Sequence, residues 1–234
     1  MAITITKNEV EKVKAPSKPY ITINKLAEYM TANATRRKSI IKTLKNEDAF
    51  TAQRYSAAKN VVLRYFKSGY DNAILDAAVN RIKAKTPITE WEKNDNKNSV
   101  LALESMKGTP FPNLTNYTIN SNVLNIKQMI LGGITVYLKP EICVQNNKTG
   151  AYGLFKMHFS KNNALEEKNR IYAATLLKFA LINSGYKVKE IEAKLCMSHD
   201  VFLGEYNPSS KTYIRIIREM EAACREIASS WDRI

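Results

Sequence analysis

Cysteine and histidine are scarce in this chain, and their spacing removes several kinds of chemistry. Cys143, Cys196 and Cys224 stand far apart with no Cys-x-x-Cys pair, an arrangement that provides neither a disulfide framework nor a zinc site. His158 and His199 are the only histidines and lack helical His-x-x-x-His spacing, so a zinc hydrolase is not expected. The chain also lacks a Gly-x-x-x-x-Gly-Lys-Ser/Thr phosphate loop, a Gly-x-Gly-x-x-Gly dinucleotide turn and a Gly-x-Ser-x-Gly nucleophile elbow. No apolar run reaches the roughly 18 residues of a membrane span, and the first residues do not show the basic-then-apolar order of a secretory signal. A cytoplasmic protein without a membrane partner is therefore expected. Acidic residues are outnumbered as well, with 22 Asp and Glu against 36 Lys and Arg and a net charge of +14.

That surplus favours an anionic partner, nucleic acid first and DNA ahead of RNA, because cations gain affinity by releasing phosphate counterions. The alternative is a solvated basic surface on a Lys- and Asn-rich chain. With 44% hydrophobic residues, the 234-residue chain can bury a substantial core. Residues 1–19 read as a flexible basic arm with Lys7, Lys12, Lys14 and Lys18. Residues 20–86 read as a helical bundle, with helices near 24–30, 35–45, 49–67 and 71–85. On the second of these, Arg36, Arg37, Lys38, Lys42 and Lys45 lie opposite an apolar stripe of Ile40, Ile41 and Leu44. No acid at i±4 neutralises them, so phosphate contact is expected, against the reading that the face simply meets water.

Residues 87–234 read as a mixed α and β domain. A helix from Thr89 to about Gly108 carries a polar stretch at 95–98 that suggests a break. Three apolar runs follow, Val123–Ile130, Ile134–Gln145 and Tyr152–Ser160, separated by Gly132-Gly133 and Asn147–Gly150. These are turn residues, and the segment reads as one three-stranded meander. A helix over 164–183, a fourth strand within Leu195–Leu203, a turn away over 204–210 and a last helix over 212–231 complete the chain. Tyr117, Tyr137, Tyr152 and Tyr172 surround the meander, suited either to base stacking or to half-buried packing.

Alternation along the strands places Glu141, Cys143 and Gln145 on one face of the second run, and Leu154, Lys156 and His158 on one face of the third. Glu141 and Lys156 are thereby expected side by side, as a site for metal-assisted phosphodiester chemistry or as an ordinary ion pair. The element order α-β-β-β-α-β, with Pro140-Glu141 on the second strand and Leu154-Phe155-Lys156 on the third, resembles the PD-(D/E)XK nuclease-like superfamily. The resemblance implies a restriction-endonuclease-like core followed by a C-terminal helix, with Glu141 and Lys156 as the catalytic pair and Mg or Mn as cofactor. Leu154 stands where that family has its second acid, so the implied site is degenerate unless Glu104, Glu166 or Glu167 moves in as a metal ligand beside Glu141. The expectation is a nucleic-acid-binding protein with a degenerate nuclease-like core, in an assembly with other protein subunits of the kind found in phage defence and mobile elements. An active nuclease and an incidentally basic protein-interaction subunit are the alternatives.

Overall fold

The computed structural model describes residues 18–45, 54–121 and 124–234. The chain enters through the short strand β1 (Tyr20–Thr22), and Thr22 Oγ1 accepts the Lys25 amide to cap α1 (Ile23–Thr31). Asn33 Oδ1 accepts the Arg36 amide at the start of α2 (Ala34–Lys45). The helices α3 (Ser56–Lys67) and α4 (Asn72–Ala84) follow, the latter capped by Asp71. Next comes α5 (Glu90–Lys107), whose cap Thr89 accepts the Glu92 amide at 3.1 Å. The polar stretch at 95–98 does not break α5: Asp95 turns inward and accepts the Tyr55 amide at 2.7 Å. A side chain that finds a buried donor keeps its helical turn.

The strands are β2 (Tyr117–Asn120), β3 (Gln128–Leu131), β4 (Ile134–Tyr137), β5 (Ile142–Asn146) and β6 (Tyr152–His158). After α6 (Glu167–Asn183) come β7 (Met197–Asp200), β8 (Glu205–Pro208) and α7 (Tyr213–Trp231). Two sheets form, a small one in the order β1-β4-β3 and a central one in the order β2-β5-β6-β7-β8. In the central sheet β2 and β6 both pair antiparallel with β5 between them, β7 runs parallel to β6 after the α6 crossover, and β8 returns antiparallel to β7.

The expected single meander is therefore corrected. The run Ile134–Gln145 is two strands in two sheets, and Val123 lies outside the described residues. The break has a local cause. The Leu138 and Lys139 amides both donate to Lys127 O, which uses up the β3–β4 pairing, and Lys139 adopts φ 40°. Pro140 has no amide to extend either ladder, and Glu141 N then donates to Phe155 O to start the next one.

The central sheet separates two cores. Cys143, Leu154 and Cys196 face one, built with α1, α2, α6, α7 and the small sheet. Ile142, Val144, Phe155, Met157 and Met197 face the other, built with α3, α4 and α5. Each large apolar side chain so buried contributes about 1.5–3 kcal/mol. Residues 20–86 consequently do not make a bundle of their own. Their first two helices belong to one core and their last two to the other. Of the arm expected over residues 1–19, residues 1–17 lie outside the described residues. At Gly153 the approach of β6 to the Ala193–Leu195 turn is so close that a Cβ would sit 2.6 Å from Leu195 Cβ.

Candidate functional site

Glu141 and Lys156 do come together. Ile142 pairs with Phe155, so the next position outward sets Glu141 opposite Lys156, and their side chains meet with Oε1 2.7 Å from Nζ. The pair is largely buried, with side-chain exposures of 17% and 13%. Both partners are further engaged: Glu141 Oε2 accepts the Met157 amide at 2.8 Å, and Lys156 Nζ donates to Lys139 O at 2.8 Å. The carboxylate thus replaces the ladder acceptor that Pro140 and the turn take away, while the ammonium holds the carbonyl of the left-handed residue. Mechanically, the pair pins the chain where it passes from one sheet to the other.

The acids expected to join Glu141 lie elsewhere. Glu104 and Asp76 share Lys107 on the α4–α5 surface, with Lys107 Nζ 2.6 Å from Glu104. Glu166 and Glu167 line a shallow hollow with Arg170 and Glu205. Among the described residues, no three His, Cys, Asp or Glu side chains gather in an arrangement that could hold a metal ion. Next to that hollow, Asp200 is fully buried and accepts the amides of Leu165, Phe202 and Leu203, a structural role.

The basic face of α2 is only partly open. Arg36 pairs with Glu28, which also holds Lys25; burial pushes the Glu28 carboxyl up, but the two cations outweigh it and hold it below its ordinary value. Arg37 spans Tyr29 O and Glu226, and Lys45 donates to Trp231 O at 2.8 Å. Lys38 and Lys42 remain exposed and without a hydrogen bond or ion pair among the described residues. The four tyrosines pack rather than project. Tyr172 is buried, Tyr137 meets Tyr20, Tyr152 meets Tyr186, and the Tyr117 hydroxyl meets Glu192 and Asn146.

The most basic of the concavities among the described residues is one that periodicity did not single out. A hollow of about 660 Å³ opens beyond the carboxyl end of β6, between α1 and α2 on one side and α3 and α5 on the other. Lys25, Arg54, Lys59 and Lys161 line it, against a single carboxylate, Asp95, which is already tied to the Tyr55 amide. His158 forms part of the wall, with Nε2 2.6 Å from Asn163 O and Nδ1 3.2 Å from Asn24 Nδ2. These partners suit a neutral ring that donates from Nε2 and accepts at Nδ1, and burial lowers its pKa accordingly. Asn24 Oδ1, on the same wall, is buried without a hydrogen-bond donor among the described residues.

Lys59 connects the hollow to the paired residues. Its ammonium lies 5.7 Å from the Phe159 ring centroid. Burial lowers its pKa; Glu141 and Asp95 push it back up and Lys156 pushes it down. A cation in this setting is short of compensation, and an incoming anion would supply it. A second hollow of about 420 Å³ shares Trp91 and Asp95 with the first but is balanced in charge, Arg81 and Lys85 facing Glu92 and Asp95. The clue to the first hollow in the sequence was faint, since its cations come from three separate stretches, around Lys25, Arg54 to Lys59, and Lys161. No helix of the described residues is long and apolar enough to cross a membrane. Comparison with known proteins adds no relative: no family model, no curated protein and no solved structure matches the chain.

Proposed function

We propose that the protein binds nucleic acid, DNA before RNA, through a degenerate nuclease-like core that no longer cleaves. The observation that carries this reading is the hollow beside the Glu141–Lys156 pair, where Arg54, Lys59 and Lys161, with Lys25 paired to Glu28, outnumber the single carboxylate of Asp95. Cations clustered in a concavity focus field and attract phosphates. The element order supports the nuclease-like part. It runs α5, the antiparallel strands β2, β5 and β6, then α6 and a parallel β7, with the β3–β4 hairpin inserted after β2. Pro140-Glu141 leads into the second of those strands, and Leu154-Phe155-Lys156 lies in the third.

Loss of catalysis follows from what Glu141 already holds. A Mg or Mn ion needs several oxygen ligands and room for water. Both Glu141 oxygens are occupied by Lys156 and the Met157 amide, and Leu154 is fully buried where a second acid would stand. Binding of a labelled DNA across a salt series, together with incubation of plasmid and single strands with Mg or Mn, tests the reading. Binding that weakens steeply with salt, without cleavage, is expected. No binding at low salt removes the nucleic-acid reading, and metal-dependent cleavage abolished by Glu141→Ala restores the active nuclease.

A further inference from the structure

We infer that the ligand of the basic hollow is single-stranded, with unpaired nucleotides entering it; this rests on the nucleic-acid reading above and specifies the strand form. Shape is the first reason. Duplex is read by an element that protrudes into a groove or by a convex basic face that follows the backbone. The convex candidate, α2, has committed Arg36, Arg37 and Lys45 to partners within the protein and offers only Lys38 and Lys42. Its opposite is the hollow, a recess of about 660 Å³. That volume falls within the roughly 300–1,000 Å³ of sites that enclose a small ligand, the scale of a nucleotide rather than of a double helix.

The lining is the second reason. Beside the cations stand Asn94, Asn98, Asn162 and Asn163, residues with amide side chains. Each offers a donor and an acceptor, the combination that pairs with a Watson–Crick edge, and such edges are available only when a base is unpaired. The third reason is the neighbouring hollow, which shares Trp91 and Asp95 but is balanced in charge. Charge therefore directs phosphates to the hollow beside β6 and away from its neighbour. Arg54, Lys59 and Lys161 hold the backbone there while the asparagines meet the bases.

The test uses the full chain and a fluorescein-labelled 12-nucleotide DNA, as a single strand and as its duplex, followed by anisotropy at several salt concentrations. The single strand is expected to bind at least about tenfold more tightly. With a log–log salt slope near −0.7 per phosphate contact, each cation contributes about fivefold at 0.1 M salt. Arg54→Gln with Lys161→Gln, both exposed positions, should weaken single-strand binding about 25-fold and flatten the slope by about 1.4. Lys38→Gln with Lys42→Gln, and Arg81→Gln alone, should change it less than twofold. Equal or tighter duplex binding, or loss of binding through the Lys38 and Lys42 pair but not through Arg54 and Lys161, overturns this inference and leaves the nucleic-acid reading standing. Absence of binding by either strand form at 50 mM salt overturns the reading beneath it.

Discussion

Glu141→Ala should destabilise the protein by about 3–5 kcal/mol, and the size follows from what the carboxylate holds. Met157 is 2% exposed, so its amide loses its acceptor out of reach of water, which costs about 1–3 kcal/mol. Lys156, with its side chain 13% exposed, keeps only Lys139 O for its charge. Removing one partner of a buried pair costs about 3–5 kcal/mol, and the residual exposure of this pair reduces that share to about 2 kcal/mol. Glu141→Gln retains an acceptor for Met157 and should cost less, about 2 kcal/mol, and Lys156→Met about 2–3 kcal/mol. The double variant Glu141→Gln/Lys156→Met leaves no orphaned charge, so the two losses should fall short of their sum by about 1–2 kcal/mol. Urea unfolding followed by circular dichroism measures all four corners of the cycle. Additivity within about 0.5 kcal/mol would show that the two charges do not act on each other and that the pair does not pin the turn between the sheets.

Other outcomes follow from the buried polar groups and the close contacts. His199 is 3% exposed, and its pKa is pushed down to about 3, by burial first and then by Arg170. The folded state keeps it neutral, while the unfolded chain takes up a proton below about 6.5, so stability present above that pH is lost as pH falls towards 3. By pH 4.5 the loss from this group is about 3 kcal/mol, and His199→Gln should flatten that part of the stability–pH curve; an unchanged curve would contradict it. Asp200→Ala removes the acceptor of the buried Leu165 amide and of the amides of half-buried Phe202 and exposed Leu203, and should cost about 2–3 kcal/mol, seen by calorimetry as a melting temperature lower by about 4–12 °C. Gly153→Ala forces a Cβ against Leu195 and Val144 and should cost about 1–3 kcal/mol by urea midpoint, whereas a neutral result would mean that the Ala193–Leu195 turn yields freely.

The helices were legible in the sequence because their apolar spacing is strong and their ends are marked. Thr89 and Asp71 cap where a cap was needed, and Ile40, Ile41 and Leu44 face a core as the stripe implied. The juxtaposition of Glu141 and Lys156 was legible because a strand alternates with period two. The partition of the strands was not, since Ile134–Gln145 reads as one largely apolar run broken only by Lys139-Pro140-Glu141. Three short strands, β1, β2 and β8, escaped notice because three or four residues are too few to show alternation. The basic hollow was hidden for another reason. Arg54, Lys59 and Lys161 look like isolated surface charges until the fold assembles them, whereas the conspicuous run on α2 is largely spent on Glu28, Glu226 and Trp231.

The backbone crosses the plane of the central sheet repeatedly: α2 lies on one side and α3 on the other, α5 precedes a hairpin on the opposite side, and β6 leads back to α6. Any cut that gave a fragment one complete hydrophobic layer would strip it of strands that its helices need. Neither layer can melt while the other persists, so spectroscopic probes placed in each should trace a single superimposable denaturation curve.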